Sequence, residues 1–131
     1  MTQINTDNKI LNEISYKIIG CAFRVHKELG PGLLESSYEA CMYYELTNTN
    51  LFVERQKELP LIYNSVKLDT GYRIDLIVEN SVIIEVKSVE ALAPIHDAQV
   101  LTYLKLSKVK LGLLINFNTV DLKQGIKRLI L

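Results

Sequence analysis

The chain has 131 residues, 48% of them hydrophobic and 23% charged, and its formal net charge is zero. Those figures describe one ordinary globular domain over residues 1–131 and exclude a disordered, collagen-like or low-complexity chain. The balanced total also argues against a tight, sequence-blind polyanion binder, whose affinity comes from neutralising phosphates.

In chain order, Met1-Thr2-Gln3-Ile4-Asn5 shows no basic segment followed by an apolar run, so no secretory leader is expected. No stretch approaches the ~18 uninterrupted apolar residues of a spanning helix. Cys21 and Cys41 are too few for a disulfide framework and lack CxxC spacing. The expectation is a cytoplasmic protein with reduced thiols and no membrane contact. From Asp7 to Leu29, apolar residues recur at Ile10, Leu11, Ile14, Ile18, Cys21, Ala22, Val25 and Leu29. That is helical spacing, with Asp7 or Asn8 available as N-cap. Gly30-Pro31-Gly32 stops the helix, and a second is predicted from about Leu33 to Leu46, ending at Thr47-Asn48-Thr49-Asn50.

Four segments of β character follow: Phe52–Leu59, Leu61–Leu68, Tyr72–Val78 and Val82–Val89. Pro60, Asp69-Thr70-Gly71 and Glu79-Asn80-Ser81 punctuate them. A third helix is predicted from Pro94 to Lys108, with proline favoured in its first turn. Leu111–Phe117 is nearly continuous in apolar residues, which suits a strand buried on both faces. Asp121–Leu131 is predicted to begin as a helical turn and finish as an edge strand, Ile126–Leu131. The order α-α-β-β-β-β-α-β-(β) makes a layered α/β or α+β domain.

The strongest chemical pattern lies in the hairpin Tyr72–Val89. Strand side chains alternate, so Glu85 and Lys87 share a face. A three-residue loop at Glu79-Asn80-Ser81 would pair Val78 with Val82, set Asp75 opposite Glu85 and Arg73 opposite Lys87. A two-residue loop would turn Asp75 to the other face. In the first register, two carboxylates and an ammonium converge on one patch, and hard divalent cations take oxygen ligands of this kind. The plain alternative is an exposed hairpin face whose Glu–Lys pair serves solubility.

Two helical features bear on the same patch. Gly32, Glu35 and Tyr38 recur at steps of three, so Glu35 and Tyr38 share a helix face and Glu35 could add a third carboxylate. A glutamate in a first helical turn also suits the helix dipole. Gln99 and Tyr103, at i,i+4, are expected to project together, away from an apolar stripe of Ala98, Leu101 and Leu104. Tyr38, Tyr43 and Tyr44 could stack on bases, although packing against the sheet explains them more simply. His26 could cap the end of the first helix or line the site. His96 and the cysteines lack metal-ligand spacing, and Cys21 belongs on the apolar face.

Together, Val25–Tyr38, Tyr72-Arg73-Ile74-Asp75-Leu76, Ile84-Glu85-Val86-Lys87-Ser88 and Gly125-Ile126-Lys127-Arg128 resemble the GxxExxY proteins. The resemblance covers nearly the whole chain from Ile10. That group is placed in the PD-(D/E)XK nuclease-like superfamily, which implies a restriction-endonuclease-like α/β core in αβββαβ order. Such a core is a mixed four-stranded sheet flanked by helices, here with an extra N-terminal helix. The resemblance further implies that Asp75 and Glu85 are metal-binding carboxylates and Lys87 the catalytic lysine. Glu35 would be the helix-borne acid, and Gln99 and Tyr103 would match the Gln-x-x-x-Tyr element of the RecB-like branch. Ile74 stands where the superfamily's name has proline, a variable position.

The function expected is a nuclease dependent on Mg2+ (or Mn2+) that hydrolyses phosphodiester bonds of nucleic acid, DNA in the first place. Glu35, Asp75 and Glu85, with the backbone carbonyl of Val86, would hold one or two ions. Lys105, Lys108 and Lys110 could hold flanking backbone, because residues 99–131 carry a net charge of +5 against −5 for residues 1–98. A homodimer or protein partner would supply the reading surface that so small a domain lacks. The rival is a non-catalytic nucleic-acid- or protein-binding module on the same fold.

Overall fold

The computed structural model describes residues 3–131, with side chains from residue 7 onward. The elements are α1 (Gln3–Leu29), α2 (Glu35–Thr47), β1 (Val53–Glu58), β2 (Leu61–Tyr63), β3 (Val66–Leu68), β4 (Arg73–Val78), β5 (Val82–Lys87), α3 (Pro94–Ser107), β6 (Leu111–Asn116), a 3-10 turn (Leu122–Gly125) and β7 (Ile126–Ile130). Five strands form one sheet in the order β1-β4-β5-β6-β7, while β2 and β3 make a separate ribbon. Only β5 and β6 run parallel in that sheet, since α3 carries the chain back along the sheet between them.

Both faces of the sheet are covered. Ile18, Cys21, Ala22, Tyr38, Met42 and Leu46 of α1 and α2 pack against Leu76, Val78, Ile84, Val86, Leu113 and Ile115. On the other face Val100, Tyr103 and Leu104 of α3 pack against Ile77, Ile83 and Leu114. All six positions of β6 are buried, as its continuous apolar run requires. Elements α2, β1, β4, β5, α3 and β6 give the αβββαβ core of the restriction-endonuclease-like fold, with α1 in front and β7 as a fifth strand. No helix among the described residues is long and apolar enough to cross a membrane.

Two expectations are corrected, and one falls outside the described residues. Helix α1 already starts at Gln3, so Asp7 and Asn8 lie inside it rather than at its cap. The leader reading at residues 1–5 falls where residues 1–2, and the side chains of 3–6, lie outside those described. The segment Leu61–Leu68 is a hairpin and not one strand, with Leu61 paired to Leu68. Its turn residues Asn64 and Ser65 have φ of 49° and 65°. Positive φ at both central positions marks a type I′ turn, and Asn-Ser lacks the glycine that usually announces one.

The Gly30-Pro31-Gly32 turn is pinned by Tyr38. Its hydroxyl donates to the Gly30 carbonyl at 2.5 Å and accepts the Leu33 N–H at 3.2 Å. Its ring, fully buried, stacks on Phe117 with centroids 4.6 Å apart and planes 8° from parallel. Tyr38 is therefore a packing residue that sets where α2 begins. Gly112 does similar work for α3, since a Cβ there would lie 2.6 Å from Val100 Cγ1. Gly112→Ala is expected to destabilise by about 1–3 kcal/mol through overpacking. A lowered urea midpoint with unchanged m value would show it, and an unchanged midpoint would contradict the close approach.

Candidate active site

Strands β4 and β5 pair Val78 with Val82, Ile77 with Ile83 and Leu76 with Ile84. This is the three-residue-loop register, and the next position in it sets Asp75 against Glu85. Ladder pairing stops there, so the expected pairing of Arg73 with Lys87 does not form. Carboxylates take over the backbone donors at the parting point. Asp75 Oδ2 accepts the Val86 N–H at 2.9 Å, and Glu85 Oε1 accepts the Asp75 N–H at 3.3 Å. Strand β5 stays bound on its other edge, where it pairs with β6 as far as Lys87–Asn116. Phe117 N–H then donates to the Lys87 carbonyl at 2.9 Å. One strand is thus held while its neighbour leaves, and Asp75, Glu85 and Lys87 occupy the opening.

The opening is short of positive charge. Glu85 is 3% exposed. Burial first, and the Asp75 charge second, push its carboxyl up to about 8, against the Asp75 N–H and the Lys87 ammonium. Burial also raises Asp75, helped by the charge of Glu39 and opposed by the Val86 N–H, Lys87 and Gln56. Near neutrality the pair therefore retains a proton. Two adjacent oxygen donors that hold a proton for want of a counter-charge suit a hard divalent cation. Among the described residues, no three His, Cys, Asp or Glu side chains gather closely enough to form a ligand set unaided.

The remaining sequence-selected residues surround this pair at different distances. Glu35 is exposed at the start of α2, and its Oε2 accepts the Ser88 N–H at 3.2 Å. Ser88 Oγ donates to the Leu33 carbonyl at 2.6 Å, which staples the start of α2 beside Lys87. Glu35 thus stands at the rim. Gln99 Nε2 donates to the Tyr103 hydroxyl at 3.0 Å. Tyr103 is 5% exposed within the α3–sheet core, and its phenol is raised by burial first, with Glu85 and Asp75 adding to the shift. The stripe expected on α3 is corrected: Val100, Tyr103 and Leu104 are buried, Leu101 is half-buried and Ala98 is exposed.

Glu39, Gln56 and Arg55 were missed by sequence reasoning. Glu39 is 5% exposed on α2, one turn beyond Glu35. Arg55 Nε donates to its Oε2 at 2.7 Å. Gln56 Nε2 donates to its Oε1 at 2.5 Å and to Asp75 Oδ1 at 3.3 Å. The available signal was a second glutamate at i+4 from Glu35, on the same helix face.

Other expectations move. Lys105, Lys108 and Lys110 are exposed but lie toward the far end of the sheet. Lys110 precedes Leu111, which pairs with Val82, and Lys87 lies about 17 Å further along β5 at 3.3 Å per residue. Basic residues at the site's own end are Arg55, Lys57, Arg73 and Lys87. His26 neither caps α1 nor lines the site, because its Nε2 donates to the Thr119 carbonyl at 2.7 Å. His96 Nδ1 accepts the Ala93 N–H at 2.9 Å at the start of α3. Cys21 is buried in the core, as expected.

The raised carboxyls make stability pH-dependent. Between about pH 4.5, the ordinary value, and about 8, the unfolded chain has lost a proton that native Glu85 keeps. The contribution of Glu85 to the stability of metal-free protein is therefore full below that window and is lost, on the order of a few kcal/mol, as pH rises through it. Thermal unfolding in chelator should show a falling Tm from pH 5 to 8.5 that Glu85→Gln flattens. A flat wild-type profile would contradict the shift.

A family model described as PD-(D/E)XK nuclease superfamily matches residues 12–129. No curated protein and no solved structure gives a significant match. The match takes in α2, the whole sheet core and every residue of the opening between β4 and β5. The chain belongs to the PD-(D/E)XK nuclease superfamily.

Proposed function

We propose that the protein is a phosphodiesterase dependent on Mg2+ or Mn2+ that hydrolyses nucleic acid, DNA in the first place. The observation that carries this reading is the adjacent, charge-deficient pair Asp75–Glu85, with Lys87 on the same strand face as Glu85. Superfamily membership and the resemblance to the GxxExxY proteins support it. Asp75, Glu85 and the Val86 carbonyl would hold the ion, with Glu35 as the acid at the rim. When bound, such an ion lowers the pKa of its water and takes up charge that develops on the phosphate.

The chain's own groups do the rest. The Lys87 ammonium orients the attacking water and neutralises phosphate charge, an electrostatic role worth about 100-fold or more in rate. Gln99 and Tyr103, linked by their hydrogen bond, position the substrate from α3. Burial around Glu85 keeps bulk water from screening these interactions. A second copy or a partner protein in the cytoplasm would supply further nucleic-acid contacts.

Binding and cleavage are separable by mutation. Wild type should gain Tm in millimolar Mn2+ or Mg2+ and cleave labelled DNA. Asp75→Asn should lose both responses, yet unfold at or above the wild-type temperature in chelator, because it removes one buried charge. Lys87→Ala should keep the metal-induced rise and lose cleavage about 100-fold or more. Absence of both metal stabilisation and cleavage in wild type would favour the non-catalytic binding module.

A further inference from the structure

Gln56 has φ of 52° in the middle of β1. Left-handed backbone is unfavourable for a non-glycine residue and persists where the surroundings hold it. β1 pairs Arg55 with Leu76 and Lys57 with Ile74, so Gln56 occupies the gap opposite Asp75. On a regular strand, successive side chains point to opposite faces. Here Arg55 and Gln56 both reach the same Glu39 carboxylate, which an uninterrupted strand does not allow. The left-handed residue turns the Gln56 carboxamide toward Glu39 and Asp75 together.

Both of its partners are acceptors, so the amide nitrogen must face them, and its two N–H groups match two carboxylates. Glu39 is itself fixed, buried on α2 and paired with Arg55, whose guanidinium lies 5.9 Å from the Tyr43 ring centroid. From this geometry we infer that Gln56 is a positioning residue, whose forked amide ties Asp75 to the anchored Glu39 and thereby aims Asp75 Oδ2 at the Val86 N–H. A neutral donor suits the place, because a third charge would either repel or neutralise the pair that gives the site its character. The inference deepens the metal-site reading and rests on it for its functional consequence.

Two variants separate aiming from mere stability. Gln56→Gly accepts the left-handed backbone freely but has no amide, and Gln56→Met keeps the side-chain length without donors. Amide exchange followed by NMR in metal-free protein is expected to be about tenfold or more faster at Val86 in both variants. Ile83 and Ile84 should keep wild-type rates. In both variants Mn2+ affinity should fall about 10- to 100-fold, as for other groups that orient ligands. A residue that only stabilised β1 would lower Tm and leave Val86 exchange and Mn2+ affinity at wild-type values. Wild-type exchange at Val86 in both variants would overturn the assignment. If wild type binds no Mn2+, the metal reading fails, and the Val86 comparison still decides what Gln56 does.

Discussion

The candidate site depends on where the ladder between β4 and β5 stops. Up to Leu76–Ile84 the two strands satisfy each other's backbone groups in the ordinary way. One residue later they are bridged by side chains, Asp75 to the Val86 N–H and Glu85 to the Asp75 N–H. A backbone donor left unpaired in so buried a place would cost stability. The carboxylates therefore secure the fold at the same point where they create an accumulation of negative charge. Bonds that secure the fold and the crowding of two carboxyls are joined in the same two residues.

The surrounding elements make that parting tolerable. β6 and Phe117 grip β5 along its far edge, so β5 keeps its course when β4 diverges. Asn116, 2% exposed, holds Val89 from both sides through 3.0 Å bonds, which fixes the chain just beyond Lys87. Ser88 ties that same end to the start of α2, and Tyr38 fixes the turn before α2 through Gly30 and Leu33. The glycine-rich turn, the tyrosine and the serine thus place acidic α2 beside the opening.

Much of this was legible in the sequence because it rests on local rules. The Glu79-Asn80-Ser81 turn narrowed the hairpin to two registers, and the structure takes the three-residue one, in which Asp75 meets Glu85. Apolar run length marked β6 as buried, and the Gly-Pro-Gly break marked the end of α1. What was not legible depends on conformations that sequence does not announce. Asn64-Ser65 makes a hairpin turn without glycine, and Gln56 adopts left-handed backbone inside a strand, so neither the ribbon nor the Glu39–Gln56–Asp75 bridge could be foreseen. The charge asymmetry misled for a topological reason. A parallel crossover returns α3 to the opposite end of the sheet and takes Lys108 and Lys110 away from Lys87.

The proposed function requires the Asp75–Glu85 pair to exchange a retained proton for a metal cation. Calorimetric titration with Mn2+ at pH 7, repeated in buffers of different ionisation enthalpy, counts that proton directly. With Glu85 held near 8, binding should release about one proton per site, and fewer as pH is raised beyond that value. Binding without proton release at pH 7, or no binding at millimolar Mn2+, would contradict it.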